Sequence, residues 1–446
     1  MKILLVNPPR SPENNILLYA PADARSYIHR KLIGPPLGLL TVAAAVEDHD
    51  VTVLDLKGEY DLSPDVPALD ELIERHLSEI QPDIVGITTI TSEFNATIEI
   101  VKICKLFNPD ILTVTGGLHA TLRPFDFENS QVDVIISGQN PHLFREVVRA
   151  REGRKNLKTV PGLYINTADG LIQTKGKPPV WDTAKINFLT PDRNHLKRWI
   201  GTYKVGNNPD PTTYLFTSLG CPYKCTFCSI WTQFKGCYYQ RDIDSLIGEL
   251  KSIDEYPVVR FADANTLVDI PFMNQLFDRI HSEGIRKTFV MDIRADVAAK
   301  NPDLINKMAR GGLKVVICGF ESFRDEELER YHKKTLASYN REAIQVFDGN
   351  GILVRGNYVV PCDYTMDDFK ALADYANENK VVYAGYTILS PMPGTLYYQE
   401  VRKNIRDHNY DRYNFFNALL QTTLPYEDFH REVAKLWLIK RGTDII

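Results

Sequence analysis

The sequence predicts an α/β protein with an N-terminal doubly wound, flavodoxin-like domain, a partial (β/α)6 barrel behind it and a helical C-terminal cap. Three observations predict this architecture. The first 150 residues alternate short apolar runs with amphipathic stretches, a rhythm typical of βαβ units. Six more apolar runs separated by helical patterns lie between about 211 and 395. Polar residues and glycines follow many of these runs, as expected where parallel strands end at a ligand-binding edge.

The N-terminal domain is expected over 1–155 and contains five predicted strands. They are Ile3–Asn7, Val51–Leu56, Ile84–Ile90, Ile111–Thr115 and Val134–Ser137. The intervening stretches Leu69–Ile80 and Ala96–Phe107 have the apolar spacing of amphipathic helices. Because parallel strands end at a common edge, we expect a ligand to bind outside their carboxyl ends.

Residues 156–208 are expected to link this domain to the next one. Leu163–Lys175 is predicted to form a hairpin around Ala168-Asp169-Gly170. The run Gly176-Lys177-Pro178-Pro179 that follows favours irregular structure.

The barrel is expected over 209–395, with the cap over 396–446. Its predicted strands are Tyr214–Ser218, Val258–Ala262, Thr288–Met291, Val315–Cys318, Val354–Val360 and Val382–Leu389. Helices are predicted at Asp242–Ile253, Pro271–Glu283, Pro302–Arg310, Tyr339–Asn350 and Met366–Asn379. In such barrels the carboxyl ends of the strands build the active site.

Composition narrows the class of protein. The 446 residues, 44% hydrophobic and 24% charged, are typical of a soluble protein of two or three domains. A net charge of -5 provides no basic footprint for nucleic acid or an anionic membrane surface. The apolar stretches are too short to span a bilayer, and the N-terminus reads as a strand and not as a signal peptide. Seven cysteines, three of them clustered, do not resemble a disulfide framework, so we expect a cytoplasmic location.

The most specific motif is the run Gly220-Cys221-Pro222-Tyr223-Lys224-Cys225-Thr226-Phe227-Cys228. Three thiolates on one loop suit three irons of a 4Fe–4S cluster and leave the fourth iron open for a ligand. Zinc is the first alternative, although a second Cys or His pair at a useful spacing is missing. A chance group of buried cysteines is the second alternative. Cys237 follows the motif closely and has no assigned role.

This Cys-x3-Cys-x-aromatic-Cys pattern resembles the signature of radical S-adenosylmethionine (SAM) enzymes. The resemblance implies that SAM chelates the open iron and that Phe227 packs near its adenine. Leu219 departs from the Arg that most relatives place before the glycine. Further SAM contacts are implied for Asp263, Asn265, Arg294, Gly319 and Glu321. Taken alone, Arg294 equally suits a structural salt bridge and Gly319 a plain turn.

The run Gly116-Gly117-Leu118-His119-Ala120-Thr121 resembles the Gly-Gly loop of cobalamin-binding domains, and Thr88-x-Ile90 falls where those domains have Ser-x-Leu. The resemblance implies that the glycines let the nucleotide tail of the cofactor lie along the sheet. A flavodoxin-like sheet without cobalamin is the alternative. The implied cobalamin-binding residues are Asn7, Pro8, Pro9, Thr88, Thr89, Gly116, Gly117, His119, Ala120, Gly138 and Gln139.

Two departures from that family affect the cofactor's surroundings. Where many cobalamin domains have Asp-x-His-x-x-Gly, this chain reads Asn7-Pro8-Pro9-Arg10, so no motif His coordinates cobalt from below. The usual Gly-Glu-Gly-Glu after the fifth strand reads Gly138-Gln139-Asn140-Pro141. His119 and His29 are nearby, but a lone His is more often a hydrogen-bonded structural residue.

Together the two resemblances point to the cobalamin-dependent radical SAM methyltransferases. They imply three cofactors, namely a 4Fe–4S cluster, SAM and cobalamin, and an external electron donor such as ferredoxin or flavodoxin. The implied reaction takes a methyl group from SAM through methylcobalamin to a carbon radical, which a 5′-deoxyadenosyl radical creates. No general base is required, so the catalytic side chains stay unassigned.

Two other functions remain open at this point. One is a cobalamin-dependent radical SAM enzyme that rearranges, cyclises or oxidises its substrate without methyl transfer. The other is a cobalamin carrier or sensor whose cluster is structural. The motifs do not specify the substrate. A general likeness to protein-modifying members favours a peptidyl side chain, such as a glutamine of methyl-coenzyme M reductase.

Overall fold

The computed structural model describes residues 1–28, 34–63, 65–176, 189–204, 208–379, 381 and 383–439. The chain divides into two compact units. The N-terminal unit comprises Met1–Pro12 and Pro35–Thr202, and the C-terminal unit comprises Glu13–Gly34 and Tyr203–Ile446. These units divide the chain differently from the expected domains, because 13–34 belong to the second unit and most of the expected linker belongs to the first. Among the described helices, none is long and apolar enough to cross a membrane.

A seven-stranded sheet forms the N-terminal unit, in the order β2-β1-β3-β4-β5-β6-β7. Strands β1 to β5 pair in parallel, and the β6–β7 hairpin adds antiparallel strands at the β5 edge. The order 2-1-3-4-5 is that of flavodoxin-like sheets, which confirms the predicted fold. The strands are β1 (Lys2–Asn7), β2 (Asp50–Asp55), β3 (Ile84–Thr88), β4 (Leu112–Gly116), β5 (Val134–Ile136), β6 (Leu163–Thr167) and β7 (Gly170–Gln173).

A parallel six-stranded sheet forms the C-terminal unit, in the order β15-β14-β13-β12-β11-β8, and confirms the predicted partial barrel. A separate antiparallel ribbon of β9 and β10 was not predicted. The strands are β8 (Thr212–Leu215), β9 (Ser218–Gly220), β10 (Tyr238–Gln240), β11 (Val258–Phe261), β12 (Thr288–Asp292), β13 (Leu313–Glu321), β14 (Leu353–Val360) and β15 (Tyr383–Ile388).

The helices follow the predicted amphipathic stretches closely, and Leu69–Ile80 and Pro302–Arg310 match them residue for residue. Several Asp and Thr residues that precede a helix cap its first turn with their side chains, as Asp242 does by accepting from the Ser245 N–H at 2.9 Å. The helices are α1 (Asn15–Leu18), α2 (Ala22–Ile28), α3 (Leu37–Ala45), α4 (Leu56–Leu62), α5 (Leu69–Ile80), α6 (Phe94–Phe107), α7 (Leu118–Leu122), α8 (His142–Arg151), α9 (Ile230–Gln233), α10 (Ile243–Ser252), α11 (Ile270–Ser282), α12 (Ala295–Lys300), α13 (Pro302–Arg310), α14 (Asp325–Arg330), α15 (Ala337–Gly349), α16 (Met366–Glu378), α17 (Leu396–Val401) and α18 (Tyr426–Leu436).

The two faces of the six-stranded sheet differ in polarity. On one face the ring of Phe289 packs against Phe261 and against Phe277 of α11, with ring centroids 5.3 and 5.9 Å apart. Because side chains alternate along a strand, the neighbouring residues Arg260 of β11 and Asp292 of β12 point to the other face. The apolar face therefore builds the core, and the polar face is available for ligands.

The segment 13–34 is an integral part of the C-terminal unit. The N–H of Ile16 donates to the carbonyl of Phe416 at 3.2 Å, and that of Asn15 to Oδ1 of Asn417 at 2.9 Å. Tyr19 contacts Tyr426 of α18 edge-on. These contacts join α1 to the helical cap at the other end of the chain.

Candidate functional site

The three clustered cysteines lie on the loop between β9 and α9. This loop begins at Gly220, whose φ of +80° and surroundings require glycine, because a Cβ there would lie 2.2 Å from the carbonyl oxygen of Cys237. The loop closes on itself where Cys228 donates its N–H to the Cys225 carbonyl at 3.2 Å. The Trp231 indole donates to the same carbonyl at 2.8 Å. The cysteine loop (residues 221–228) is therefore shaped by its own sequence.

Burial raises the pKa of all three thiols, that of Cys228 to about 11. Two cations oppose this effect, since Arg294 and Lys333 both lower the pKa of Cys221 and of Cys225. Buried thiols near cations fit a cluster, because iron and the cations together stabilise the thiolate form. In the described ranges, no three His, Cys, Asp or Glu side chains converge as a single metal ion would require.

Asp263 follows β11 and holds the junction between β8 and the cysteine loop. Its Oδ1 accepts the backbone N–H groups of Thr217 and Ser218 at 2.8 and 2.9 Å, and its Oδ2 accepts the Thr217 hydroxyl at 2.5 Å. Burial raises the pKa of this carboxyl to about 6. These contacts give Asp263 a positioning role for the backbone that leads into the loop. The SAM contact that the resemblance implies for Asp263 stays a prediction.

Asn265 lies two residues further on and is only 3% exposed. Neither its amide oxygen nor its amide nitrogen has a hydrogen-bond partner among the described residues. The neighbouring Thr266 hydroxyl is also buried without a partner there. A buried polar group usually has a partner, because leaving it without one is costly. These groups at the carboxyl end of β11 therefore fit a polar ligand such as SAM.

Arg294 is 6% exposed and combines three contacts. Its Nε donates to Asp296 at 3.0 Å and its Nη2 to the Lys333 carbonyl at 2.7 Å. Its guanidinium carbon lies 3.9 Å from the ring centroid of Tyr223, on the cysteine loop. The salt bridge that was the structural alternative is present, and the same side chain also supports the cysteine loop.

Glu321 and Gly319 are placed together at the end of β13. A Cβ at Gly319 would lie 2.4 Å from Oε1 of Glu321 and 3.1 Å from Nζ of Lys333. The side chains of Glu321 and Lys333 form an ion pair at 2.6 Å that fills this space. Gly319 thus makes room for the ion pair, and the close approach of adenine that the resemblance implies stays a prediction. Lys333 was missed by the sequence analysis, because it lies in a charged run that resembles an exposed helix end.

The ring of Phe227 packs edge-on against Tyr331, with centroids 5.5 Å apart. The neighbouring Thr226 donates its N–H to the Tyr331 carbonyl at 3.0 Å. The aromatic residue of the motif is therefore anchored to the segment after α14.

A polar network lies on the other face of the six-stranded sheet, and its members Arg260 and Tyr214 were not predicted as site residues. Arg260 donates to Asp292 at 2.8 Å and to the Tyr214 hydroxyl at 3.3 Å. Burial lowers the pKa of the Arg260 guanidinium, but the charge of Asp292 outweighs this effect, so the pKa is raised above its ordinary value. Mid-strand positions such as Arg260 carry no turn or motif signal, so only the strand register would have suggested them.

The Gly-Gly loop of the N-terminal unit follows β4. Gly117 has φ of +96°, and a Cβ there would lie 2.9 Å from the backbone N and O of Thr89. Gly116 differs, because a Cβ there would meet only Ile136, at an ordinary 3.9 Å. Glycine is thus required at position 117 by the backbone around it. At position 116 no atom of the described protein fills the space where a side chain would lie. Such an opening fits the nucleotide tail of cobalamin.

Several of the other implied cobalamin residues are engaged within the protein. Thr89 is fully buried and its hydroxyl contacts those of Thr97 and Thr115 at 2.9 and 2.8 Å. His119 is 1% exposed; its Nδ1 lies 3.2 Å from the Thr91 hydroxyl and its Nε2 3.4 Å from Asp126. This environment is that of a structural histidine. Ala120 is also buried, and Thr88 is half-buried.

The carboxyl ends of β1 and β5 belong to the same edge of the seven-stranded sheet. Asn7 donates to buried Asp55 at 2.7 Å, Pro8 is buried and Pro9 is half-buried. Gly138 has φ of +125° and donates its N–H to the Thr121 hydroxyl at 3.1 Å, and Gln139 beside it is half-buried. The residues that replace the usual lower-ligand motif therefore serve the scaffold.

Comparison with known proteins agrees with this arrangement. Residues 27–148 match the B12 binding domain family, and residues 215–376 match the radical SAM superfamily. The hopanoid C-3 methylase of Methylococcus capsulatus is 25% identical over 90% of this chain and 75% of its own length. The chain belongs to the cobalamin-dependent radical SAM methyltransferases. The pairing of a B12 binding domain with a radical SAM domain makes cobalamin, SAM and a 4Fe–4S cluster its cofactors.

Two further relatives show the extent of the similarity. An uncharacterized methyltransferase of Pyrococcus horikoshii is 28% identical over 89% of this chain and 82% of its own length. Among solved structures, the radical SAM methyltransferase TsrM from Kitasatospora setae, with cobalamin and a 4Fe–4S cluster bound, shares the fold. Its TM-score is 0.67, with 18% identity over 90% of this chain and 74% of that one.

Proposed function

We propose that this methyltransferase moves a methyl group from SAM, by way of cobalamin, to a carbon atom that a SAM-derived radical has activated. The observation that carries the proposal is the cysteine loop with its three thiols. Asp263, after β11, holds the backbone that leads into this loop through its hydrogen bonds to Thr217 and Ser218. When bound, the cluster and SAM supply a 5′-deoxyadenosyl radical, and cobalamin supplies the methyl group.

Cys221, Cys225 and Cys228 are the proposed cluster ligands. The Asp263 contacts to Thr217 and Ser218 fix the backbone that leads into the loop. A loop held in this way orients its ligands before the cluster binds, which lowers the entropic cost of assembly. Cys237 is exposed, so we assign it no part in the cluster.

Asn265 is the proposed polar contact to SAM, because its amide has both donor and acceptor capacity unused. Phe227 remains the proposed apolar contact. Arg294, whose Nε and Nη2 are already engaged, supports the site through Tyr223 and the Lys333 carbonyl. Asp263 fixes the backbone that leads into the cysteine loop. Gly319 and Glu321 accommodate the Lys333 ammonium group.

Cobalamin is proposed to bind at the edge formed by the ends of β1, β3, β4 and β5. The space beside Gly116 and the exposed part of Gly138 are the proposed path of its tail, because a ligand can approach glycine backbone closely. Asn7, Pro8, Pro9, Thr88, Thr89, Gly117, His119, Ala120 and Gln139 shape this edge. We propose no protein ligand for the lower face of cobalt.

The polar network of Tyr214, Arg260 and Asp292 supports a polar substrate. A hydrocarbon would cover these half-buried groups without compensation for lost water, whereas an amide or a peptide can hydrogen-bond to them. A peptidyl side chain therefore stays our predicted substrate, and a glutamine of methyl-coenzyme M reductase is the first peptide to test.

The test uses the full chain, reconstituted anaerobically with iron, sulfide and cobalamin. It is incubated with a reductant and with SAM that carries a deuterated methyl group. We expect 5′-deoxyadenosine and a product that carries the deuterated methyl, both detected by mass spectrometry. The Cys225→Ala variant, loaded with cobalamin in the same way, is the control.

Two results would contradict the proposal. Formation of 5′-deoxyadenosine with a modified but unlabelled product would indicate rearrangement, cyclisation or oxidation. Absence of 5′-deoxyadenosine from a protein that holds both iron and cobalamin would indicate a carrier or sensor. An unsuitable substrate is a different outcome, because it gives 5′-deoxyadenosine without any modified product. Peptides, lipids and small polar molecules are therefore tried in turn.

A further inference from the structure

Lys333 is a buried cation next to the cysteine loop. Only 8% of the residue is exposed, and its Nζ donates to Oε1 of Glu321 at 2.6 Å. The pair lies over Gly319, where even a methyl group would collide with both side chains. The absence of a side chain at 319 is thus matched to this ion pair.

The backbone around the pair is held in an unfavourable conformation. Glu321, His332 and Lys334 have φ values of 61°, 52° and 54°, in the left-handed region that non-glycine residues avoid. They are three of the seven such residues in the described part of the chain. Residues of this kind persist only where the surroundings enforce them, and they cluster at functional sites.

Two sets of contacts connect Lys333 to the cysteine loop. Its carbonyl accepts from Arg294, whose guanidinium lies over the ring of Tyr223. Two residues earlier, the Tyr331 carbonyl accepts the N–H of Thr226. The loop is thereby attached to this segment on both sides of Cys225.

The segment that is hydrogen-bonded to the cysteine loop carries a buried ammonium group. Only 8% of Lys333 is exposed, and its backbone carbonyl accepts from Arg294, which lies over Tyr223 of the loop. In a site of low dielectric constant, a nearby cation favours the more negative, reduced form of a redox centre.

We propose that Lys333, held in place by Glu321, is a positioning residue whose charge sets the reduction potential of the cluster. The inference rests on the proposed function, because it takes the cluster to be bound by the cysteine loop. It assigns the buried pair to electron transfer into the cluster and not to contact with the substrate.

The test measures the midpoint potential of the reconstituted full-length protein by redox titration followed by electron paramagnetic resonance. Lys333→Met leaves the Glu321 charge without its partner, so the potential should become more negative. Glu321→Gln leaves the ammonium charge uncompensated, so the potential should become more positive. We expect each change to alter the reduction equilibrium at least tenfold, which is about 59 mV for one electron.

Two matched variants separate an effect of charge from an effect of changed packing. Lys333→Arg keeps the charge and should stay near the wild-type potential. The double variant Lys333→Met/Glu321→Gln removes both charges, avoids an unpaired buried ion and should also return toward the wild-type value. Iron content and circular dichroism of each variant show whether cluster and fold are retained.

Opposite shifts in the two single variants, with recovery in the double variant, would support the inference. Equal potentials in all iron-loaded variants would overturn it, even while the wild type cleaves SAM and the proposed function stands. Loss of iron from every variant without Lys333, with the fold intact, would show a purely structural role and would also overturn it. A wild-type protein that binds no cluster would contradict the proposed function itself.

Discussion

The carboxyl edges of the two parallel sheets are built in different ways. In the N-terminal unit, Thr89 bonds to Thr97 and Thr115, and Asn7 bonds to Asp55. In the C-terminal unit, Asn265 is buried with no partner among the described residues.

This difference separates two modes of recognition. At the first edge the polar side chains stabilise one another, so a ligand is recognised mainly through backbone and through the space beside glycine. At the second edge an amide is left available, so a ligand is recognised by hydrogen bonds. Substitutions that fill the space beside glycine should therefore lower the affinity for cobalamin. Substitutions that remove polar groups should lower the affinity for SAM.

The largest effect is expected from loss of a cluster ligand. Cys225→Ala should abolish the iron absorbance and lower 5′-deoxyadenosine to background, because a cluster with two protein thiolates is not held. Cobalamin binding should be unchanged. Cys237→Ala is the matched control and should retain iron. Equal iron content in both variants would show that the loop does not bind the cluster.

The glycine pair tests the recognition of cobalamin by space. Gly117→Ala places a side chain at φ of +96° and against the Thr89 backbone, which should cost about 2 kcal/mol or more. The melting temperature should fall by about 4–8 °C.

Gly116→Ala is the matched variant and should keep the melting temperature, since its Cβ meets only Ile136. We expect its cobalamin affinity to fall at least tenfold in spectroscopic titrations, about 1.4 kcal/mol. Undiminished affinity would show that the tail does not pass beside Gly116.

Asn265→Ala tests the recognition of SAM by polar groups. Because this buried amide makes no hydrogen bond within the described protein, its removal should not lower the stability of the protein without SAM. Affinity for SAM, measured by equilibrium dialysis, should fall about tenfold. Asn306→Ala, on the surface of α13, is the control. A lower melting temperature with unchanged SAM affinity would reverse the assignment.

The smallest effect concerns Asp263 and pH. Burial raises the pKa of its carboxyl from 3.8 to about 6 in the folded protein. The folded state therefore binds this proton more tightly than the unfolded state, and the resulting stability is lost as pH rises through about 6.

Between pH 5 and pH 7 this loss should be about 1 kcal/mol, and Asp263→Asn should remove it. Denaturant unfolding of both proteins at the two pH values measures the difference. If the two proteins lose the same stability over this range, another group is responsible. The comparison uses protein without cofactors, so that cluster loss does not contribute.

Much of the fold follows from local sequence patterns. The predicted strands differ from the observed ones by a few residues at most, because buried parallel strands are short apolar runs. The antiparallel ribbon was missed because Ser218–Gly220 is too short to show a period. The contacts of α1 do not follow from local patterns, because their partners lie some 400 positions later in the chain.

The candidate site was predictable where a motif existed and not elsewhere. The spacing of Cys221, Cys225 and Cys228 identifies a cluster loop by itself. The partners of Asp263 and Glu321 depend on backbone geometry, which a sequence does not display. Lys333 lies beside a charged helix end, where the usual expectation of exposure was wrong.

The contact of α1 with the helical cap has a consequence for the order of folding. Ribosomes release the N-terminus first, so the segment 13–34 emerges long before the residues around Asn417 and Tyr426 that it packs against. The N-terminal unit can assemble once residue 202 has emerged, whereas the C-terminal unit stays incomplete until the residues around Asn417 and Tyr426 have emerged. Closing so long a loop is slow. The unit that carries the cysteine loop is therefore the later one to mature.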